Sequence, residues 1–227
     1  MAGGQSGTGT ARLSDARIGH TSPRAVGDPR PYDAIKRALD VLVSGVGLVA
    51  ALPFAMGVIA AIYLSDGPPA FYTQERVGRG GRVFRVFKFR SMVRNAEAMT
   101  GAVLADRNDP RITRVGRLLR KTAMDELPQL LNIFLGHMSF VGPRPERPEL
   151  VAQIAKDLPE FRRREQIRPG LTGLAQVYGR YYTEPARKLP YDVAYIARRS
   201  LWLDLHLFLH SWRITSKAKW DSDEAVR

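Results

Sequence analysis

The strongest pattern in the chain is a run of 25 uncharged, mostly apolar residues, Val41 to Ser65, bounded by Asp40 and Asp66. A helix of that length reaches across a hydrocarbon core of about 30 Å. Pro53 stands in the middle of the run and Gly45, Gly47 and Gly57 lie along it. The proline removes a backbone donor and crowds the preceding turn, so it predicts a kink or a break. Lys36 and Arg37 precede the run, and Arg76, Arg79, Arg82, Arg85, Lys88 and Arg90 follow it. Basic flanks favour the cytoplasmic side. A straight span would put one flank outside. A helix broken at Pro53 and returning to the same face keeps both inside, so a re-entrant helix–break–helix is expected over residues 31–66. Gly45-Val46-Gly47 reads as helix packing.

After this run the period changes. Phe71-Tyr72-Thr73 and Val83 to Phe89 are β-branched and aromatic, and Gly78-Arg79-Gly80-Gly81 separates them, which predicts a hairpin. Asn95 to Met99 reads as a helical turn and Thr100 to Asn108 as a loop. Asp109-Pro110 has the chemistry of a helix start, with Ile112, Val115, Leu118 and Leu119 as its apolar stripe. A second helix is expected from Leu127-Pro128 to Leu135, ended by Gly136. Further helices are expected over Pro148 to Lys156, Pro159 to Ile167 and Pro190 to Arg199, with a turn at Arg168-Pro169-Gly170. Leu201 to Trp212 is apolar, interrupted by Asp204, His206 and His210, and followed by Arg213, Lys217 and Lys219. It suits an amphipathic helix lying in a membrane interface, and equally a terminal helix packed on the core. Residues 1–30 are Gly-, Ser-, Thr- and Arg-rich with no apolar period, and read as a disordered tail that is not a signal peptide. Residues 221–227 form a second tail. The body, 67–220, is read as one catalytic domain ending in the interfacial helix. The fold class is mainly α with a small β-hairpin, in a monotopic membrane protein.

Composition narrows the chemistry. The 227 residues include 35 Lys+Arg against 22 Asp+Glu, a net charge of +13, and no cysteine. The missing cysteines exclude a disulfide scaffold, a thiolate metal site and a cysteine nucleophile. The charge implies an anionic partner: nucleic acid, anionic lipid or a phosphorylated substrate. A mean hydropathy of −0.22 excludes a polytopic membrane protein.

Asp125-Glu126, beside Arg117, Arg120 and Lys121, is the catalytic candidate. A carboxylate can attack phosphorus to give an acyl phosphate, and a second can hold Mg²⁺ against a diphosphate. Taken alone the pair also fits plain helix capping, since Pro128 suits a first turn. Arg111, Arg114, Arg117 and Arg120 recur every three residues, either as a phosphate-binding face or as a solvated one. Arg144, held between Pro143 and Pro145, presents its guanidinium from a stiff backbone. Arg168 before Pro169-Gly170 has the same character. His206 and His210 are four apart but read as packed or interfacial rather than as metal ligands. His137 follows Gly136 at a helix end and reads as a surface residue. Gly80-Gly81 is turn chemistry.

Five motifs occur in order: Lys88-Phe89-Arg90-Ser91-Met92, Asp109 to Gly116 (DPRITRVG), Asp125 to Leu130 (DELPQL), Val141 to Pro145 (VGPRP) and Arg168 to Leu174 (RPGLTGL). Together they resemble the bacterial sugar transferase family, the small monotopic phosphoglycosyl transferases, from about Tyr32 to Leu209. The resemblance implies transfer of a sugar 1-phosphate from a UDP-sugar to polyprenyl (undecaprenyl) phosphate. UMP is released, and surface-glycan synthesis begins. It implies Asp125 as nucleophile through a covalent phosphosugar intermediate, and Glu126, with Asp125, as ligand to Mg²⁺. Arg120 and Arg144 would bind phosphate, with Lys88, Arg90 and Arg168 as further candidates, and Pro143 and Pro145 would shape the nucleotide wall. It places the enzyme on the cytoplasmic face of the bacterial inner membrane, against anionic lipid, and is compatible with a homodimer. Many members of that family carry a larger multi-span N-terminal domain, and this sequence is expected to represent the minimal catalytic unit. The sequence departs from the family at Leu52, where a serine often precedes the helix-breaking proline. The rival reading is a membrane-tethered basic module for nucleic acid or anionic lipid, with Phe84, Phe87 and Phe89 among basic residues as stacking groups. Five ordered motifs favour the enzyme, with no nucleic acid as partner.

Overall fold

The computed structural model describes residues 31–96, 109–179 and 185–216; the expected tails, the 100–108 loop and most of the turn at 95–99 lie outside them. The first element is α1, Pro31–Asp66, a 36-residue helix with Pro53 inside it. The helix continues on both sides of Pro53, so the two separate helices expected from the sequence are one. A lone proline deletes one donor and leaves the rest of the ladder in place. Nor does α1 leave the body at either end. Near its start Lys36 pairs with Asp204 at 2.6 Å, and Arg37 donates to the carbonyls of Ile133 and Phe134 at 2.7 and 2.8 Å. Asp40 accepts from the Phe140 amide at 3.2 Å. Near its end Val58 and Ile62 pack with Ala70, Phe89 and Leu119. Between these anchors Val46, Val49, Leu52, Phe54 and Met56 are exposed.

The expected hairpin is present. Strands β1 (Phe71–Val77) and β2 (Val83–Phe89) pair antiparallel from Phe71↔Phe89 to Val77↔Val83. Gly80 and Gly81 turn the chain with φ of 68° and 75°, a conformation open to glycine at little cost. Helix α2, Arg114–Lys121, starts later than expected, with Thr113 as its cap accepting from Gly116 N at 2.9 Å. Asp109 does make a local turn, but its carboxylate is taken by Arg111, which it meets at the backbone amide and at Nε, both 2.9 Å. Residues 111–113 are instead held against 91–93: Thr113 N donates to Ser91 O at 3.1 Å and Val93 N to Arg111 O at 2.8 Å.

Helix α3, Gln129–Leu135, ends as expected at Gly136, which has φ of 88°. Two strands were not expected. β3 (Ser139–Val141) and β4 (Gly170–Thr172) pair in parallel, so the Arg168-Pro169-Gly170 turn leads into a strand. The pairing is tight: a Cβ on Gly170 would lie 2.1 Å from Gly142 N and 2.4 Å from Thr172 O. Both are backbone atoms and cannot swing aside. Gly170→Ala is therefore expected to cost about 3 kcal/mol, the upper end for overpacking, read as a shift in the denaturant midpoint of the detergent-solubilised protein.

Helix α4 (Pro148–Asp157) and the 3-10 segment Pro159–Gln166 follow the expected positions. After α5 (Leu174–Tyr178), α6 (Pro185–Arg198) begins five residues before the expected Pro190, which sits inside it. In α7 (Leu201–Ser216) Leu207 and Ile214 are buried against Val141, Val177 and Tyr195. Its other side exposes Trp202, Leu205, Leu209 and Trp212. One face of this helix is thus packed on the core, as the second reading expected, and the other is apolar and exposed. His206 meets the Tyr178 hydroxyl at 2.8 Å, and its ring lies against His210. Among the described residues no cluster of three or more metal-type side chains occurs.

Candidate active site

Asp125 and Glu126 sit on a 3-10 turn of their own, Met124–Glu126, between α2 and α3. The sequence put them at the start of the following helix; the structure puts them one turn earlier. Ala123 enters the turn with a left-handed φ of 54°, and Leu127 N closes it on Met124 O at 3.2 Å. The turn is pinned from below by Met124 and Leu127, which pack on the Phe89–Leu119 cluster.

Three elements deliver cations to this turn. Lys88 on β2 places Nζ 2.7 Å from Glu126 Oε1. Arg144, after β3, places Nη2 2.6 Å from the same oxygen and Nη1 3.5 Å from Oε2. Arg120, in the last turn of α2, acts on Asp125 electrostatically, and its Nη1 is buried with no hydrogen-bond partner. Such an orphaned guanidinium nitrogen costs stability unless an anion meets it.

The two carboxylates respond in opposite ways. Burial pushes the Asp125 carboxyl up; Lys88 pulls it down and Glu126 pushes it further up. Burial would also raise Glu126, but Arg144 and Lys88 overrule it and hold it well below the usual carboxylate range. Glu126 is therefore the more acidic member of the pair, and Asp125 the more basic one.

The backbone of the Arg144 loop is held by the protein itself. Four successive carbonyls each have a partner. Pro143 O takes Gly170 N at 2.9 Å, Arg144 O takes Arg164 Nη2 at 2.8 Å, Pro145 O takes Arg76 Nη1 at 3.0 Å, and Glu146 O takes Val77 N at 2.9 Å. Arg164 is itself held by Asp192 at 2.8 Å. Sequence reasoning missed Arg76 and Arg164, whose partners are carbonyls 69 and 20 positions away, and Asp192, which holds Arg164, because nothing local marks such contacts. A small cavity opens beside the loop, lined by Val77, Pro143, Pro145, Val151 and Ile167 among others.

The other basic candidates lie elsewhere. Arg90 is buried and donates to the carbonyls of Asp66 and Gly67 at the end of α1. Arg168 donates to Gly136 O at 2.9 Å and lines a different cavity. Of the arginines spaced by three, Arg111 is bound to Asp109, and Arg114 and Arg117 are exposed; Arg120 alone acts on the dyad. The aromatic residues of β2 do not form a stacking platform, since Phe89 is core and Phe84 lies against His137.

The chain is similar to known proteins along most of its length. A family model described as bacterial sugar transferase matches residues 31–218. The UDP-N-acetylgalactosamine-undecaprenyl-phosphate N-acetylgalactosaminephosphotransferase of Aeromonas hydrophila is 39% identical over 195 residues, covering 83% of this chain and 46% of that protein. A UDP-glucose:undecaprenyl-phosphate glucose-1-phosphate transferase of Caulobacter vibrioides is 40% identical over 207 residues, covering 89% and 75%. The exopolysaccharide production protein PSS of Rhizobium leguminosarum is 40% identical over 181 residues, covering 76% and 90%. The chain thus spans less than half of the first relative and nearly all of the last. With the match extending from the start of α1 to the end of α7, the chain belongs to the bacterial sugar transferase family.

Proposed function

We propose that the protein moves a sugar 1-phosphate from a UDP-sugar to undecaprenyl or a similar polyprenyl phosphate, as the first step of a surface glycan. The observation that carries this reading is the dyad itself: a buried, basic carboxylate beside a charged one clamped by two cations, with an unpaired guanidinium at hand. Carboxylate chemistry on a diphosphate needs that set.

In the first half-reaction an Asp125 oxygen attacks the sugar-linked phosphorus. The bond from that phosphorus to the bridging oxygen breaks, and UMP leaves with the electron pair. Arg120 and Arg144 take up charge developing on the phosphate oxygens and on UMP. In the second half-reaction a polyprenyl phosphate oxygen attacks the same phosphorus. The acyl-phosphate bond breaks and Asp125 regains its carboxylate. Arg144 and Lys88 together favour the ionised form of Glu126.

The donor set fits Mg²⁺ in its usual mode, with one or two carboxylates and the rest of the shell from water and substrate phosphate. Glu126 Oε2 has only the 3.5 Å contact to Arg144. Glu126, with Asp125, would hold the ion, which would supply further neutralisation of the diphosphate.

Membrane seating is supported by α1. At 1.5 Å per residue its 36 residues are about 54 Å long, yet both ends rest on one body. A helix anchored in that way enters and leaves on a single leaflet, the cytoplasmic one by the charge of its flanks. The exposed apolar residues of α1 and α7 supply the contact with lipid. The test is a panel of UDP-sugars with membranes, Mg²⁺ and polyprenyl phosphate. UMP release from at least one UDP-sugar, lost on chelation, is the expected result. No UMP from any sugar would refute the activity.

A further inference from the structure

A second cavity runs along β3, between the first turns of α1 and the segment leading into β4. Five cations line it, Lys36, Arg37, Arg79, Arg168 and Arg199, against two carboxylates, Asp33 and Asp40. Several are already engaged. Arg199 pairs with Asp33 at 3.2 Å, Lys36 with Asp204, and Arg37 with two α3 carbonyls. Asp40 accepts from Phe140 N. Arg168 makes its bond to Gly136 O through Nε, which leaves the outer edge of the guanidinium directed away from that bond. Exposed Arg79 reaches the cavity from the hairpin turn.

The independent sign of a ligand is Ser139. It lines the cavity, is 1% exposed, and its hydroxyl has no hydrogen-bond partner. Buried polar atoms of this kind are normally satisfied. The electrostatics agree, because burial and the neighbouring Arg37 and Arg79 disfavour the charge on Arg168. An anion there would satisfy the hydroxyl and relieve the crowded guanidiniums together.

We propose that this cavity is a second anion site, separate from the Asp125–Glu126 dyad, that takes a phosphate group on Arg168, Arg79 and Ser139. Arginine forks match phosphate oxygens in the plane. The mouth lies beside Lys36 and Arg37, directly before the exposed apolar residues Leu39, Leu42 and Val43 of α1. On the membrane seating proposed above, residues directly before an inserted apolar stretch meet the headgroup layer, so the same chemistry is offered by a lipid headgroup or by phosphate in solution.

The test uses the full chain in neutral detergent and reads the thermal unfolding midpoint. The probes are inorganic phosphate, and mixed micelles containing phosphatidylglycerol, each against chloride of equal ionic strength or phosphatidylcholine micelles. A rise of several degrees with at least one probe is expected, at least halved in Arg168→Gln and in Arg79→Ala. The rise should persist in Arg120→Ala, which removes the unpaired guanidinium of the dyad. A rise with phosphatidylglycerol only assigns the site to lipid, and a rise with phosphate only assigns it to a soluble ligand. No rise with either probe overturns the proposal. So does a rise undiminished in Arg79→Ala, whose exposed side chain can be removed without endangering the fold should Arg168→Gln fail to fold. A rise lost in Arg120→Ala but kept in Arg168→Gln places the phosphate at the dyad and also overturns it. Turnover is not read, so the outcome is independent of the transferase reading.

Discussion

Asp125→Asn is expected to lower UMP release by roughly 10³-fold or more, the scale seen when a covalent nucleophile is removed. The replacement keeps the size and shape of the side chain and takes a charge out of a buried position. Asp125 is 9% exposed, and burial already raises its carboxyl. The variant should therefore unfold at the same temperature as the wild type or slightly above it, so that the lost activity cannot be ascribed to a lost fold. Donor binding should survive, because Arg120, Arg144 and Lys88 remain. Turnover within a few fold of wild type would remove Asp125 from the nucleophile's role.

Glu126→Gln is expected to have the second largest effect, and to act on stability as well as on activity. Its carboxylate joins three elements by holding Lys88 of β2 and Arg144 of the β3 loop against the 3-10 turn, at 2.7 and 2.6 Å. Its side chain is 17% exposed, and those of Lys88 and Arg144 are 23% and 25% exposed. Removing the charge leaves two largely buried cations facing an amide. The cost is about 2 kcal/mol, in the range for a lost hydrogen bond to a charged group. The pH dependence has a definite sign. Glu126 is held below its ordinary value of 4.5, so in the wild type its contribution is complete above that pH and declines as the pH falls further. The variant should lack this part of the acid slope. Equal acid unfolding of the two proteins would contradict the clamp.

How far the sequence alone reached depends on the length of each signal. The 25-residue apolar run, the alternating hairpin strands and the α3 segment ended by Gly136 extend over enough residues for a period to emerge, and all three elements are present. β3 and β4 are three residues each, below any period, and their pairing depends on bare backbone at Gly142 and Gly170. The start of α2 was misplaced because Asp109-Pro110 has the right local chemistry, whereas the strand-like contacts of residues 111–113 with 91–93 are long-range. At Pro53 the sequence indicated a break, and the helix runs through it.

The candidate site was legible in a different way. Nothing in the spacing of Lys88, Arg120, Asp125-Glu126 and Arg144 shows that they meet; the ordered motifs suggested it, and the structure brings them to one turn. Arg90 and Arg168 carry the same motif signal but lie at the end of α1 and in the second cavity. The network under the Arg144 loop, Arg76, Arg164 and Asp192, left no local trace at all. Its arginines act on carbonyls, which are the same in every residue, and Asp192 acts only through Arg164.

The central claim, a covalent link through Asp125, is tested most directly without the acceptor. The protein is incubated with its UDP-sugar and Mg²⁺ in the absence of polyprenyl phosphate, quenched, digested and read by mass spectrometry. The account requires a phosphosugar added to the peptide containing Asp125, with UMP released in matching amount and both absent in Asp125→Asn. An unmodified Asp125 peptide, with UMP appearing only once polyprenyl phosphate is added, would contradict it.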